Sequence, residues 1–160
     1  MSAELRLNQI IDKLKARHFR LTPQRIAIVK ALLTLSHPTV QQIYTEVRSS
    51  FPTTGLGTVY KTVTLLNELG EAFELTLGGG SSHYDAIEPY PHPHFICPQC
   101  GEIVNVEVPG LAELLERTGS TMNGWVITSR VDIWATCPRC QSAAGIRKYP
   151  EGGAMEQTSA

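Results

Sequence analysis

Two copies of one short motif, Cys97-Pro98-Gln99-Cys100 and Cys137-Pro138-Arg139-Cys140, hold all four cysteines of the 160-residue chain and constrain it more than anything else in it. A two-residue gap lets both thiolates of a knuckle face one point, and two knuckles complete a tetrahedron of sulfurs ~2.3 Å from a zinc ion. Gly101 follows the first knuckle, where the backbone must turn tightly. A redox pair or idle buried thiols would not call for two matching knuckles, so the pattern favours structural zinc. The 36 residues between Cys100 and Cys137 exceed a minimal zinc ribbon, so the metal must tie together parts of a larger domain. Four thiolates leave no open coordination position, which argues against catalysis at this metal.

A chain of 160 residues has room for one ordinary domain or two small ones, and 42% hydrophobic against 18% charged residues supports real cores. No apolar run approaches the ~20 residues that span a bilayer. Met1-Ser2-Ala3-Glu4 does not lead a charged segment into an apolar stretch, so no signal peptide is expected. The expectation is a cytoplasmic protein without a membrane partner, and there four cysteines seldom form disulfides. The net charge of −1 conceals an asymmetry: residues 1–66 carry nine Lys/Arg against three Asp/Glu, residues 67–160 five against twelve. A basic front half suits a partner with phosphates, and an acidic back half suits a cation.

Apolar spacing predicts a helix over residues 5–17, with Leu5, Leu7, Ile10, Ile11 and Leu14 on one stripe. A second opens at Thr22-Pro23, an N-cap followed by proline at the first helical position, with Ile26, Val29, Leu32 and Leu33 inward. A third opens at Thr39, with Gln42 completing a capping box and Ile43, Tyr44 and Val47 inward. The Phe51–Gly55 turn leads to a fourth helix from Gly57 to Leu69, stopped by Gly70, with Val59, Val63 and Leu66 buried. Alternating segments Ala72–Leu77 and Ser82–Ala86 around Gly78-Gly79-Gly80 predict a β-hairpin, which completes winged helix-turn-helix order. The Pro-rich run from Glu88 to Pro93 reads as a linker. Beyond it come strand candidates at His94–Ile96, Ile103–Val108 and Trp125–Thr136 and one helix at Leu111–Thr118. The fold class is therefore α+β: a winged helix-turn-helix domain over 1–86, a linker over 87–93, a small C-terminal α/β domain with a four-cysteine zinc site over 94–146, and a disordered tail over 147–160.

Of five histidines, His18, His37, His83, His92 and His94, the last two alternate on an extended segment directly before the first knuckle, so their rings project to one side. Asp85, at the end of the hairpin, is positioned to add an oxygen. A nitrogen and carboxylate set without sulfur suits Fe²⁺, Mn²⁺ or Zn²⁺.

Arg20-Leu21-Thr22-Pro23-Gln24-Arg25, His37-Pro38-Thr39, Gly57-Thr58-Val59-Tyr60-Lys61 and His92-Pro93-His94-Phe95-Ile96-Cys97-Pro98-Gln99-Cys100-Gly101 together resemble the ferric uptake regulator superfamily, in order from about residue 8 to residue 141. The resemblance implies a homodimeric, metal-activated repressor in which a divalent ion between the two domains closes the dimer onto operator DNA. Its regulatory ligands fall on His37, Asp85, His92, His94 and Asn105; at the last position an amide replaces the family's carboxylate, leaving a +1 site around a divalent ion. That change predicts weaker metal binding and a sluggish response to peroxide. Pro91 and Pro93 stand where the iron-uptake branch carries ligands of a second cluster, and Ser129 where it carries a histidine, so that cluster is expected to be absent. An aspartate at 85 resembles the peroxide-sensing branch, in which Fe²⁺ reacts with hydrogen peroxide and a ligand histidine is oxidised. The expected cofactors are thus structural Zn²⁺ and regulatory Fe²⁺ or Mn²⁺.

The fourth helix is the candidate recognition helix: Thr58, Tyr60 and Lys61 near its start for base edges or phosphate, Arg20 and Arg25 for phosphate or the minor groove. If Tyr60 is instead a core aromatic, that contact is lost. The alternatives are an iron-, manganese- or zinc-uptake regulator of the same superfamily, a zinc hydrolase or thiol oxidoreductase, and a zinc-ribbon adaptor binding only protein. No nucleophile–base motif such as G-x-S-x-G appears, so an enzyme is not expected. The helix and hairpin order with a basic front half speaks against the adaptor.

Overall fold

Each of the first three helices begins where the sequence supplies a cap. The computed structural model describes residues 2–77, 80–122 and 130–144. Ser2 accepts from the Leu5 amide and opens α1, Ala3–Ala16. Thr22 accepts from the Arg25 amide and opens α2, Pro23–Thr34, with Pro23 in its first turn. At α3, Val40–Ser50, the capping box is complete: Thr39 Oγ1 accepts from the Gln42 amide, and Gln42 Oε1 accepts from the Thr39 amide at 2.7 Å. The recognition-helix candidate, α4, spans Leu56–Glu68 behind Gly55, which has no side chain to cap it, and Gly70 turns out of it at φ +68°.

Ile10, Leu14, Ile28, Leu32, Ile43, Val59, Val63 and Leu66 interlock in one core under these helices. Each such side chain contributes roughly 1.5–3 kcal/mol by leaving water. Several expected inward positions differ. Leu5 is 53% exposed, and Arg6 turns inward in its place. There its guanidinium pairs with Glu71 Oε2 at 2.7 Å and donates to the Ala86 and Glu71 carbonyls, which makes a buried charge tolerable. Ile26 is only half-buried, and Ile28 takes the deeper position. Tyr44 is half-buried as well, its ring beneath the Arg48 guanidinium.

The hairpin is shorter than the alternation predicts: β1, Phe73–Leu75, pairs antiparallel with β2, His83–Asp85. The expected turn at Gly78 and Gly79 lies outside the described residues. Next come β3, His94–Ile96, and β4, Ile103–Asn105, antiparallel, with His94 opposite Asn105. β4 ends three residues before the predicted Val108. The helix α5 runs Leu111–Thr121, three residues past its predicted end. β5, Asp132–Trp134, adds to β3 in parallel, giving the order β4-β3-β5. Of the long strand expected over Trp125–Thr136, residues 125–129 lie outside the described residues, as does the expected tail. A final helix, α6 (Pro138–Ala144), grows out of the second cysteine knuckle, where the apolar spacing predicts none. Among the described residues no helix is long and apolar enough to cross a membrane.

Candidate metal centres

Both knuckles are built by their own backbone. The Cys97 amide donates to Glu102 O, and Gly101, at φ +72°, donates to Cys97 O, folding the first motif back on itself. Cys137 enters α6, where Gln141 donates to its carbonyl at 2.9 Å, so Cys140 sits within the first turn. The four Sγ atoms lie within 4.8 Å of one another. Cys100 and Cys137 are 3.7 Å apart, far beyond a ~2.05 Å disulfide and close to the about 3.8 Å between sulfurs held tetrahedrally at ~2.3 Å from zinc. The Cys137 amide and the turn amides donate to Cys97 and bring its thiol down to about 6. The neighbouring Cys100 and Cys137 sulfurs push Cys140 up to about 12. Four thiolates at this spacing need a cation to ionise together.

The second cluster joins the two halves of the chain. His37 comes from the α2–α3 turn, Asp85 from the end of β2, His92 from the Pro-rich segment and His94 from β3; their ligand atoms also fall within 4.8 Å of one another. His37 has φ +44°, the left-handed region that a histidine adopts only under constraint. The wing supplies that constraint: His83 Nδ1 donates to His37 O at 2.7 Å, and Tyr84 N donates to Pro38 O. His83 is thus a positioning residue, outside the cluster.

Hydrogen bonds fix which ring nitrogens are bare. His92 Nδ1 lies 2.7 Å from Tyr90 O, which can only accept, so Nδ1 carries the proton and Nε2 a lone pair. Ser36 donates to Ile103 O, so its oxygen accepts from His37 Nδ1 and leaves His37 Nε2 bare. His94 Nδ1 faces Asp132 Oδ1 at 3.6 Å, and Asp132 is itself held by Arg130 at 2.8 Å. At 3.6 Å this carboxylate lies behind the ring without a hydrogen bond to it, so it does not fix the tautomer of His94. On the other side, Asp85 Oδ1 accepts from the Ile87 and Glu88 amides, leaving Oδ2 at 3.3 Å from His37 Nε2 and 3.5 Å from His92 Nε2.

His37 Nε2, His92 Nε2 and both His94 nitrogens are buried and have no hydrogen-bond partner. Lone pairs facing a carboxylate oxygen in a buried site call for a proton or a cation between them. Burial opposes ionisation of Asp85, but the His37 ring beside it and hydrogen bonds from the Glu88 amide and Asn105 outweigh it and hold the carboxyl well below its usual range. Burial, helped by the neighbouring histidines, lowers His94 to about 4, so the ring is a neutral ligand at pH 7. The donor set fits a divalent ion of the Fe²⁺, Mn²⁺ or Zn²⁺ type.

Asn105 does not turn its oxygen to this point. Its Nδ2 donates to Asp85 Oδ2 and Glu88 Oε2, both at 3.1 Å, and the opposite flip would set an oxygen against two carboxylates. Glu88, read from sequence as part of a linker, comes within 3.5 Å of His92 Nε2, a neighbour of the cluster that sequence reasoning misses. Only the fold of residues 85–88 brings it back over Asp85. Among the described residues these are the two metal-type clusters; Ser129 lies outside them.

Thr58, Tyr60 and Lys61 are exposed on the first turns of α4, Tyr60 at 52%. Tyr60 is therefore not a core aromatic. Arg20 is exposed, and Arg25 is half-buried with its guanidinium on the Arg20 carbonyl.

The model of the ferric uptake regulator family matches residues 16–133. The peroxide-responsive repressor PerR of Staphylococcus aureus is 36% identical over 142 residues, 88% of this chain and 95% of that protein. Among solved structures, the Campylobacter jejuni peroxide stress regulator superposes with a TM-score of 0.63 at 28% identity, covering 84% of this chain and 98% of its own. The Helicobacter pylori ferric uptake regulator superposes with a TM-score of 0.74 at 20% identity over 88% and 95%, a likeness of fold.

Proposed function

The chain belongs to the ferric uptake regulator family, and on that premise we propose that it is a metal-dependent, DNA-binding transcriptional repressor that senses peroxide through histidines holding Fe²⁺. The observation that carries this reading is the buried cluster of His37, Asp85, His92 and His94, with its bare ring nitrogens. Bound Fe²⁺ would supply the reaction with hydrogen peroxide that oxidises a ligand histidine. The residues do the rest. The Tyr90 carbonyl orients the ring of His92, Asp132 stands behind that of His94, and the wing pins His37. Because its ligands come from both the helical and the sheet half, an ion here fixes the angle at which α4 is presented. Residues 1–86 act as the DNA reader, 87–93 as the connection and 94–146 as the zinc-held dimerisation unit. The closed Cys97, Cys100, Cys137, Cys140 set serves structure, and the protein works in the cytoplasm without enzymatic turnover.

Arg20, Arg25, Thr58, Tyr60 and Lys61 are the proposed DNA contacts, with α4 entering the major groove. The homodimer is supported by α5: an 11-residue helix that buries none of its side chains, Leu114 being 58% exposed. A helix that short is marginal alone and needs a surface to cover it. On the sheet, Phe95 and Val104 stand exposed directly opposite one another.

The test uses an operator recovered from randomised duplexes in the presence of Mn²⁺. The Mn²⁺ form should retard that duplex and the metal-depleted form should not; binding indifferent to the metal overturns the reading. Peroxide should release DNA from the Fe²⁺ form alone, with oxygen added at His37, His92 or His94. An Fe²⁺ form that keeps its DNA would favour the uptake-regulator alternative.

A further inference from the structure

We propose that Glu88 is the second anionic ligand of the regulatory ion, supplying the charge that the amide at Asn105 lacks. The inference rests on the reading of the His37, Asp85, His92 and His94 cluster as a metal site. Glu88 Oε2 lies 3.5 Å from His92 Nε2, the same distance that separates His92 Nε2 from Asp85 Oδ2. Two ligands ~2.1 Å from one ion lie about 3.0 Å apart at octahedral angles and about 3.4 Å apart at tetrahedral ones. Both carboxylate oxygens therefore stand from the bare His92 nitrogen about as far as ligands sharing one ion do. The Asp85 turn causes this: its Oδ1 accepts from the Glu88 amide at 3.0 Å and folds residue 88 back over residue 85.

Asn105 is then a positioning residue. Its two amide hydrogens go to Asp85 Oδ2 and Glu88 Oε2, tying together two carboxylates that would otherwise repel. An aspartate at 105 would set a third negative charge there; the amide steers the second one instead. With a divalent ion, Asp85 and Glu88 make a neutral site, not the +1 site implied when position 105 is counted alone. Glu88 is also the one member with 39% of its side chain exposed, so it stands where an ion would enter and leave.

The experiment is a Mn²⁺ titration of the full-length, zinc-loaded dimer, following free Mn²⁺ by electron paramagnetic resonance. Glu88→Gln should bind Mn²⁺ at least about 10-fold more weakly than wild type. Adding Asn105→Asp to that variant should recover most of the loss, because it returns a carboxylate to the same point. Wild-type affinity in Glu88→Gln overturns the proposal, as does a loss that Asn105→Asp fails to recover. A wild type that binds no Mn²⁺ at all overturns the metal-site reading and this assignment with it, which separates the two failures.

Discussion

His94 is fully enclosed, and enclosure gives it a measurable signature. Burial, helped by the neighbouring His92 and His37, lowers its ring to about 4, against the opposing pull of Asp132 and Asp85. In the unfolded chain the ring titrates near its ordinary 6.5. Between those values the unfolded chain binds a proton that the folded one refuses. Stability of the form without the regulatory ion should thus be level above that window and fall as pH drops through it. Denaturant unfolding at pH 7 and pH 5.5 should show this fall, and it should shrink in His94→Gln. An equal fall in the variant would assign it elsewhere. Asp85 acts below the window, since its contribution is lost only as pH falls past its ordinary 3.8.

The proposed recognition helix α4 gives the element-scale test. Tyr60 leaves Val59 and Val63 to hold the helix and stands half exposed beside Thr58 and Lys61. Tyr60→Ala should weaken specific DNA binding by about 1–3 kcal/mol, with fold and metal content unchanged. Normal operator affinity would place the ring on an idle face. On α1, Arg6→Ala should cost about 1–3 kcal/mol of stability, because it takes one of two cations from the buried Glu71 carboxylate, Lys13 remaining, and leaves the Ala86 and Glu71 carbonyls without their donor, whereas Leu5→Ala should cost little. Thermal unfolding of the two variants checks this. The same pair explains what could be read from the chain. Helix starts were legible because Thr22, Thr39 and Gln42 act on neighbours a few residues away. The inward turn of Arg6 was not, because its partner is 65 residues distant. The end of β4 was likewise not, since the alternation runs on to Val108 whereas the strand stops at Asn105, one backbone bond from Val106 to Pro93 following it. His37, Asp85, His92 and His94 were legible through the order of their motifs. Glu88 and the role of His83 depend on how the wing and the Asp85 turn fold back.

At the scale of the whole molecule the two proposed metal centres would divide the labour: one spans the helical and sheet halves, the other closes the sheet half on itself. The four-cysteine group joins the end of β3 to α6, with 36 residues between the knuckles, and α5 contributes no buried side chain. Among the described residues of the sheet half only Ile96, Cys97 and Ile103 are buried apolar side chains, which leaves much of its stability to the ion, whose binding energy is folding energy. The thiols also set its pH dependence. Without metal, Cys97 is eased down to about 6 by N–H donors while Cys140 is pushed up to about 12. Zinc must therefore displace protons, and its affinity should fall as pH falls. Cys137→Ser removes one thiolate and offers a hydroxyl that stays neutral, and the Cys137 Sγ it deletes lies 3.7 Å from Cys100. The expected outcome is zinc lost on dialysis at neutral pH and a dimer that dissociates. Elemental analysis and sedimentation of the purified variant read both. The α1–α4 core lies outside that domain, so its helical signal should persist after the sheet half has melted. One zinc per chain in an intact Cys137→Ser dimer would show that this sulfur is dispensable and that packing alone holds the domain.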